Sequence, residues 1–342
     1  MLISIQALRA LAAWMVVCHH FMQVFFNFKG GGPVGHFFAA RGAVGVDIFF
    51  VISGLVIYLS TWNKPIQPRE FLLNRAIRII PAYWFYTIAM GLLLYAVGRY
   101  MPHGAVNWPT FIFSLLFIPA ENPGGYGLYP TLNVGWTLNY EMFFYLIFSL
   151  GFVVPKAWRA LFVALTLVLS SEAFSRLGWS ARFYANNIVY EFLLGITLGV
   201  AWRRGWVRSG FWLPLALIAA CSTIIYRLEP TNRLLHWGLP SAGIVAGCLA
   251  LEARFAHNRA LKAMGDCSYS VYLVHLLVLY AGWFITERLG INAYVVFAFF
   301  CVPTILGMSW LSYQWLEKRL YHRMKAWLTR PSLSPGLTRQ NY

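Results

Sequence analysis

The residues able to do chemistry in this chain are ionisable side chains set inside apolar runs. Arg9 and His20 share the first such run, Asp47 lies in the second, and Glu141, Glu191 and His275 lie in later ones. Surrounded by hydrocarbon, each costs on the order of several kcal/mol, so each is by default a functional residue. Arg9 and His20 are 11 residues apart, which on a helix amounts to about 20° of net rotation and roughly 16 Å of rise. They therefore face one way at two depths. His19 points about 100° away from His20 and is read as structural.

Counted from the ends of their runs, His20, Asp47 and Glu141 fall at a similar depth in the outer half, and Glu191 is able to join them. A histidine there is suited to act as general base, with a carboxylate fixing its tautomer and stabilising the imidazolium. An inner group is basic. Arg75 and Arg78 stand at i, i+3 in FLLNRAIRIIP, on one helical face. Two such guanidiniums favour an anion between them, and phosphate matches their planar fork. Arg9 and His275 are placed at the inner half as well. The combined reading is a path: a polyanionic donor held by Arg9, Arg75, Arg78 and His275, with its reactive end reaching His20, Asp47 and Glu141. Roughly 16 Å of separation suits the extended arm of a coenzyme A thioester. Plainer readings stand beside it. His20 or Asp47 also fits a structural hydrogen-bonding role, and the arginine pair fits an orientation signal or an anionic-lipid site. Trp84, Trp108 and Trp136 read as interfacial belts.

Elements that place these residues follow from composition. The 342 residues are 59% hydrophobic and 11% charged, against about 25% charged in soluble domains. Apolar runs recur along the whole chain, so the expected fold is all-α: a polytopic transmembrane helix bundle of about ten spans. They are expected near 5–27, 42–62, 80–98, 136–154, 159–175, 185–202, 211–227, 235–253, 268–285 and 292–314. The Pro/Gly-rich stretch 99–135 holds one shorter apolar run, 111–118, expected to re-enter the membrane or lie at its surface. With the N-terminus inside, 18 of the 27 Lys and Arg fall in inner segments and 8 in outer ones, which predicts that both termini are cytoplasmic. This placement also explains the net charge of +16 without nucleic acid. Five scattered cysteines, with no CxxC spacing, read as small buried hydrophobes, and no metal is expected. The first run is too long, and lacks the basic start, for a signal peptide. One membrane domain, 1–320, is expected, followed by a polar cytoplasmic tail, 321–342, partly disordered.

On these residues the chain resembles the acyltransferase 3 family of integral membrane acyltransferases, over about 1–320. Arg9 and His20 match the family's motif on the first helix. GAVGVDIFFVISGLVI (42–57) matches the second-helix signature and NRAIRIIPAYW (74–84) the paired-arginine signature. WTLNYEMFFYLIF (136–148) matches with Thr137 replacing the usual serine. GDCSYSVYLVH (265–275) and SYQWLEKRL (312–320, around Glu317) match the late segments. The resemblance implies a membrane O-acyltransferase, with His20 central and Arg9, Arg75 and Arg78 acting through the donor. It implies transfer of an acyl group, most often acetyl from cytoplasmic acetyl-CoA, to a hydroxyl of a cell-surface or exopolysaccharide sugar or its lipid-linked precursor. His20 would either deprotonate the acceptor or carry the acyl group itself. Expected partners are acyl-CoA, the glycan, membrane lipids and polysaccharide-assembly proteins, in the inner (plasma) membrane. The rival reading is a carrier or flippase for a sugar or lipid-linked glycan, using the same buried charges as substrate contacts.

Overall fold

The structure, a computed structural model, describes residues 2–101, 104–177, 179–207 and 210–328. All regular secondary structure among the described residues is helical. This follows from the long apolar runs, because in hydrocarbon a backbone must satisfy its own N–H and C=O groups, and a helix does so within one segment. The helices are α1 (Ile3–Phe26), α2 (Gly32–Arg41), α3 (Val44–Trp62), α4 (Pro68–Val97), α5 (Trp108–Leu115), α6 (Trp136–Leu150) and α7 (Lys156–Arg176). There follow α8 (Glu191–Arg203), α9 (Trp212–Arg227), α10 (Leu234–Ala250), α11 (Glu252–Phe255), α12 (Arg259–Asp266), α13 (Ser268–Leu289) and α14 (Ala293–Leu328).

Among the described residues, six segments are long and apolar enough to cross a membrane: Ile3–Phe26, Val44–Trp62, Pro68–Tyr100, Lys156–Arg176, Ser268–Leu289 and Ala293–Leu328. The remaining four expected ranges hold the shorter helices α6, α8, α9 and α10. The chain is a multi-pass membrane protein built as a helical bundle.

Three details add to the expected arrangement. First, α4 starts at Pro68, about a dozen residues before the expected span, and runs unbroken through Pro81. Arg75 and Arg78 therefore sit on the spanning helix itself. Second, the 111–118 run is the short helix α5, capped by the Asn107 side chain, which accepts from Thr110 N at 2.9 Å. It is strapped along α4 where Tyr83 Oη donates to Ser114 O at 3.0 Å and Trp84 Nε1 to Leu115 O at 2.8 Å. Third, α14 continues past the expected boundary at 320 to Leu328; the rest of the expected tail, 329–342, lies outside the described residues.

Two contacts fix the helices that carry the site. At the α3/α8 crossing the backbones approach so closely that a Cβ on Gly54 would lie 2.0 Å from Phe192 O, and one on Gly195 2.0 Å from Val51 O. Gly195 and Gly199 form a GxxxG stripe, the small-residue pattern that lets membrane helices touch. The start of α1 is capped from α11. Glu252 accepts from Ile3 N at 2.7 Å, Ser4 N at 2.8 Å and Ser4 Oγ at 2.5 Å. Its carboxylate satisfies N–H groups that the helix leaves open and suits the positive end of the dipole.

Candidate active site

Two adjoining cavities stand out among the described residues. The first, about 110 Å³, is lined by Arg9 of α1, Ser53 of α3, Arg75 and Arg78 of α4, and Glu141 and Tyr145 of α6, among others. The i, i+3 spacing puts both α4 arginines on its wall. Arg9 Nη1 donates to Gln6 Oε1 at 3.2 Å and interacts electrostatically with Arg78, Glu317 and Glu141. The Arg75 guanidinium lies 5.4 Å from the Phe71 ring centre and 5.8 Å from that of Tyr145, and its buried Nε has no hydrogen-bond partner. Glu141 Oε1 accepts from Ser53 Oγ at 3.0 Å and from the Tyr145 hydroxyl. Glu317 accepts from Ser270 Oγ at 2.5 Å and interacts with Arg78 and Arg9. Three arginines and two carboxylates thus meet here, with Glu141 on the arginine side.

The second cavity, about 770 Å³, is lined by His19, His20 and Gln23 of α1, by Tyr129 and Trp136, by Tyr280 and Trp283 of α13, and by Arg233. His20 Nδ1 lies 3.1 Å from Val16 O and 3.0 Å from His275 Nε2, while His275 Nδ1 lies 3.2 Å from Val271 O. A carbonyl oxygen only accepts, so both Nδ1 atoms carry the proton. His20 Nδ1–H then donates to Val16 O and His275 Nε2, and His275 Nδ1–H donates to Val271 O. His20 Nε2 keeps its lone pair, as a base requires. His275 is fully buried and stands beside His20, not with the arginines. His19 Nδ1 lies 3.1 Å from Phe38 O.

Asp47 and Glu141 do not flank His20. Asp47, fully buried, accepts two parallel hydrogen bonds from Arg233, Nε at 2.9 Å and Nη2 at 2.8 Å. Glu191 is also fully buried and interacts with both Asp47 and Arg233. Arg233 is a residue that loop-charge counting had absorbed as an orientation signal. It directly precedes a π-helical turn, Leu234–Gly238, of the kind often found at functional sites. Pro240 follows that turn, and the wider turn relieves the clash a proline ring makes with the carbonyl four residues back. Glu191, read from the sequence as able to join Asp47, does so, because α8 approaches α3 closely at Gly195.

The linings of the two cavities share Val46 and Tyr272. A basic cavity able to hold phosphate therefore abuts a wide cavity holding a histidine with one free lone pair. That is a layout for group transfer from an anionic donor.

Comparison with known proteins agrees in class. The Acyl_transf_3 profile, described as an acyltransferase domain, matches residues 2–313. The chain belongs to this family and is an acyltransferase, which decides against the carrier reading. Exopolysaccharide production protein ExoZ of Rhizobium meliloti (strain 1021) is 33% identical over 316 residues, 87% of this chain and 95% of that protein. Acyltransferase MdmB of Streptomyces mycarofaciens is 24% identical over 312 residues, 82% of this chain and 79% of that protein. Peptidoglycan O-acetyltransferase OatA of Listeria monocytogenes serovar 1/2a (strain ATCC BAA-679 / EGD-e) is 30% identical over 173 residues, 45% of this chain and 25% of that protein. No solved structure matches the chain.

Proposed function

We infer that this acyltransferase moves an acyl group, most simply acetyl, from cytoplasmic acyl-CoA to a hydroxyl of a cell-surface or exopolysaccharide sugar or its lipid-linked precursor. The observation that carries this is that the arginine cavity adjoins the histidine cavity, Val46 and Tyr272 lining both. Phosphates of the donor bind Arg9, Arg75 and Arg78, where the fork of each guanidinium pairs with two oxygens. The narrow arginine cavity suits a linear thioester arm. The wide histidine cavity, walled by Tyr129, Trp136, Tyr280 and Trp283 with Gln23 and His19 between them, suits a sugar ring, which needs flat apolar faces and a few polar contacts.

In the direct route His20 Nε2 takes the proton of the acceptor hydroxyl as its oxygen attacks the thioester carbonyl carbon. The C–O bond forms, the C–S bond breaks, and the proton passes to the departing thiolate, giving free coenzyme A. Val16 O holds the His20 tautomer, and His275 supports the Nδ1–H beside it. In the alternative route His20 Nε2 first takes the acyl group and then yields it to the acceptor, with the same net balance. Asp47 acts at one remove, by fixing Arg233 at the histidine cavity, and Glu141 acts within the donor cavity.

The matching topology has ten spans and both termini in the cytoplasm, so that the arginine cavity meets the cytoplasmic donor across the inner (plasma) membrane. Membrane lipids surround the bundle, and polysaccharide-assembly proteins are the natural source of acceptor. Mass spectrometry of surface glycans from hosts with and without the protein tests the reading. An acyl group present on the glycan only when the protein is made supports it; identical glycan profiles would count against it.

A further inference from the structure

The donor and acceptor cavities share a wall, the collar, made by two residues that are held in place. Val46 of α3 is 5% exposed and Tyr272 of α13 is 6% exposed, and each lines both cavities. The Tyr272 hydroxyl donates to Val134 O at 3.1 Å and lies 2.8 Å from Thr137 Oγ1, which itself donates to Val134 O at 3.0 Å. Its ring lies edge-on to Phe49, centres 5.8 Å apart. Val46 immediately precedes Asp47, whose carboxylate is locked by Arg233. Opening the collar would break buried hydrogen bonds or shift a fixed turn of helix.

Around the collar the arginine cavity is walled by Phe49, Phe50 and Leu138. Close-packed interiors resist even one extra methylene. A thioester arm entering from the arginines brings its acyl end to this collar before it meets His20.

We propose that Val46 and Tyr272 are specificity-determining residues that limit the length of the acyl chain transferred, admitting acetyl and excluding longer chains. The inference rests on the acyl-CoA reading above. One extra methylene in an apolar site changes kcat/KM by about 10–200-fold. The wild-type enzyme should therefore prefer acetyl-CoA to butyryl-CoA by at least about tenfold.

The test uses the purified full chain in liposomes with acetyl-, propionyl- and butyryl-CoA, reading kcat/KM for each from thiol release coupled to acceptor acylation. Val46→Ala and Tyr272→Ala widen the collar from two different helices, so misfolding of one leaves the other informative. Tyr272→Phe keeps the ring and loses the tether. In both Ala variants the acetyl-to-butyryl ratio should fall by about tenfold, whatever happens to the overall rate, while Tyr272→Phe stays nearer wild type. A purely structural role would lower all three rates together and leave the ratio alone. A wild-type enzyme that uses butyryl-CoA as well as acetyl-CoA, or an unchanged ratio in the folded Ala variants, overturns the proposal. Failure of the wild type with every acyl-CoA, using an acceptor preparation acylated by intact cells, would overturn the donor reading instead, and this inference with it.

Discussion

His275 presents its Nε2 to the Nδ1 of His20 at 3.0 Å, so the Nδ1 proton that Val16 O holds in place is shared with another histidine. Removing His20 should remove the base. His20→Ala is expected to lower kcat by about 10²–10⁴-fold while the protein still inserts and accumulates. His275→Ala should lower kcat less, by about tenfold, short of the roughly 10²–10⁴-fold lost with the base itself, with little change in donor KM. Initial rates on purified variants separate these effects. A His275→Ala enzyme with wild-type kcat would remove it from the site.

The donor cavity makes a prediction about KM. Arg75→Ala or Arg78→Ala should each raise the acyl-CoA KM about 10–100-fold, as expected for losing about 1.5–3 kcal/mol of charged hydrogen bonding. Lysine should rescue only in part, since it lacks the fork. Calorimetric titration with coenzyme A gives the same comparison without turnover. Unchanged affinity in both Ala variants would return these arginines to the role of orientation signal or lipid contact.

How much of this was legible in the sequence depends on which coordinate a residue needs. Hydropathy gives position along the membrane normal, and all ten expected ranges hold a helix because length and apolarity dictate one. The i, i+3 spacing of Arg75 and Arg78 gave their shared face for the same geometric reason. Depth does not give azimuth. Asp47 and Glu141 were both placed by depth beside His20, but Asp47 turns to Arg233, 186 residues away, and Glu141 turns to Ser53 and the arginines. The same reading by depth puts His275 at the inner half with Arg9. Yet it lies seven residues into α13, a rise of about 10 Å, which brings it level with His20. The π-turn after Arg233 has no sequence signature beyond the proline that follows it.

The α3/α8 contact leads to a packing prediction. Gly195→Val would drive side-chain atoms into the Val51 carbonyl, where the ideal Cβ is already 2.0 Å from oxygen. Backbone cannot move aside as a flexible side chain can, and overpacking costs about 1–3 kcal/mol or more. Thermal unfolding in detergent should show a clear loss of stability, and size-exclusion chromatography a lower folded yield. A variant as stable as wild type would mean that the two helices do not cross so closely.

One pH effect follows from the pairing of a buried Arg41 with an exposed Glu229. Arg41 Nη2 donates to Glu229 Oε1 at 2.7 Å, and this hydrogen bond, with the charge of Arg41, holds the Glu229 carboxyl below its ordinary value. Because the folded-state value is depressed, the stabilisation is complete above the unfolded value and is lost as pH falls through the folded one. Glu229→Gln should unfold at slightly lower temperature than wild type at pH 7, a small gap because the exposed Glu229 carboxylate is screened by solvent. The gap should close as the pH drops below about 4, near the ordinary carboxylate range. A gap independent of pH would point to packing rather than charge.

The central claim is that the arginine cavity takes an acyl-CoA and the histidine cavity delivers its acyl group. The most direct measurement places purified protein in liposomes with acyl-labelled acetyl-CoA on the arginine side and a competent glycan acceptor on the other. The account predicts free thiol on the arginine side in step with label on the glycan. It also predicts that His20→Ala stops both signals and that Arg78→Ala shifts both to higher donor concentration. Label reaching the glycan at the wild-type rate in His20→Ala, or without thiol release, would contradict it.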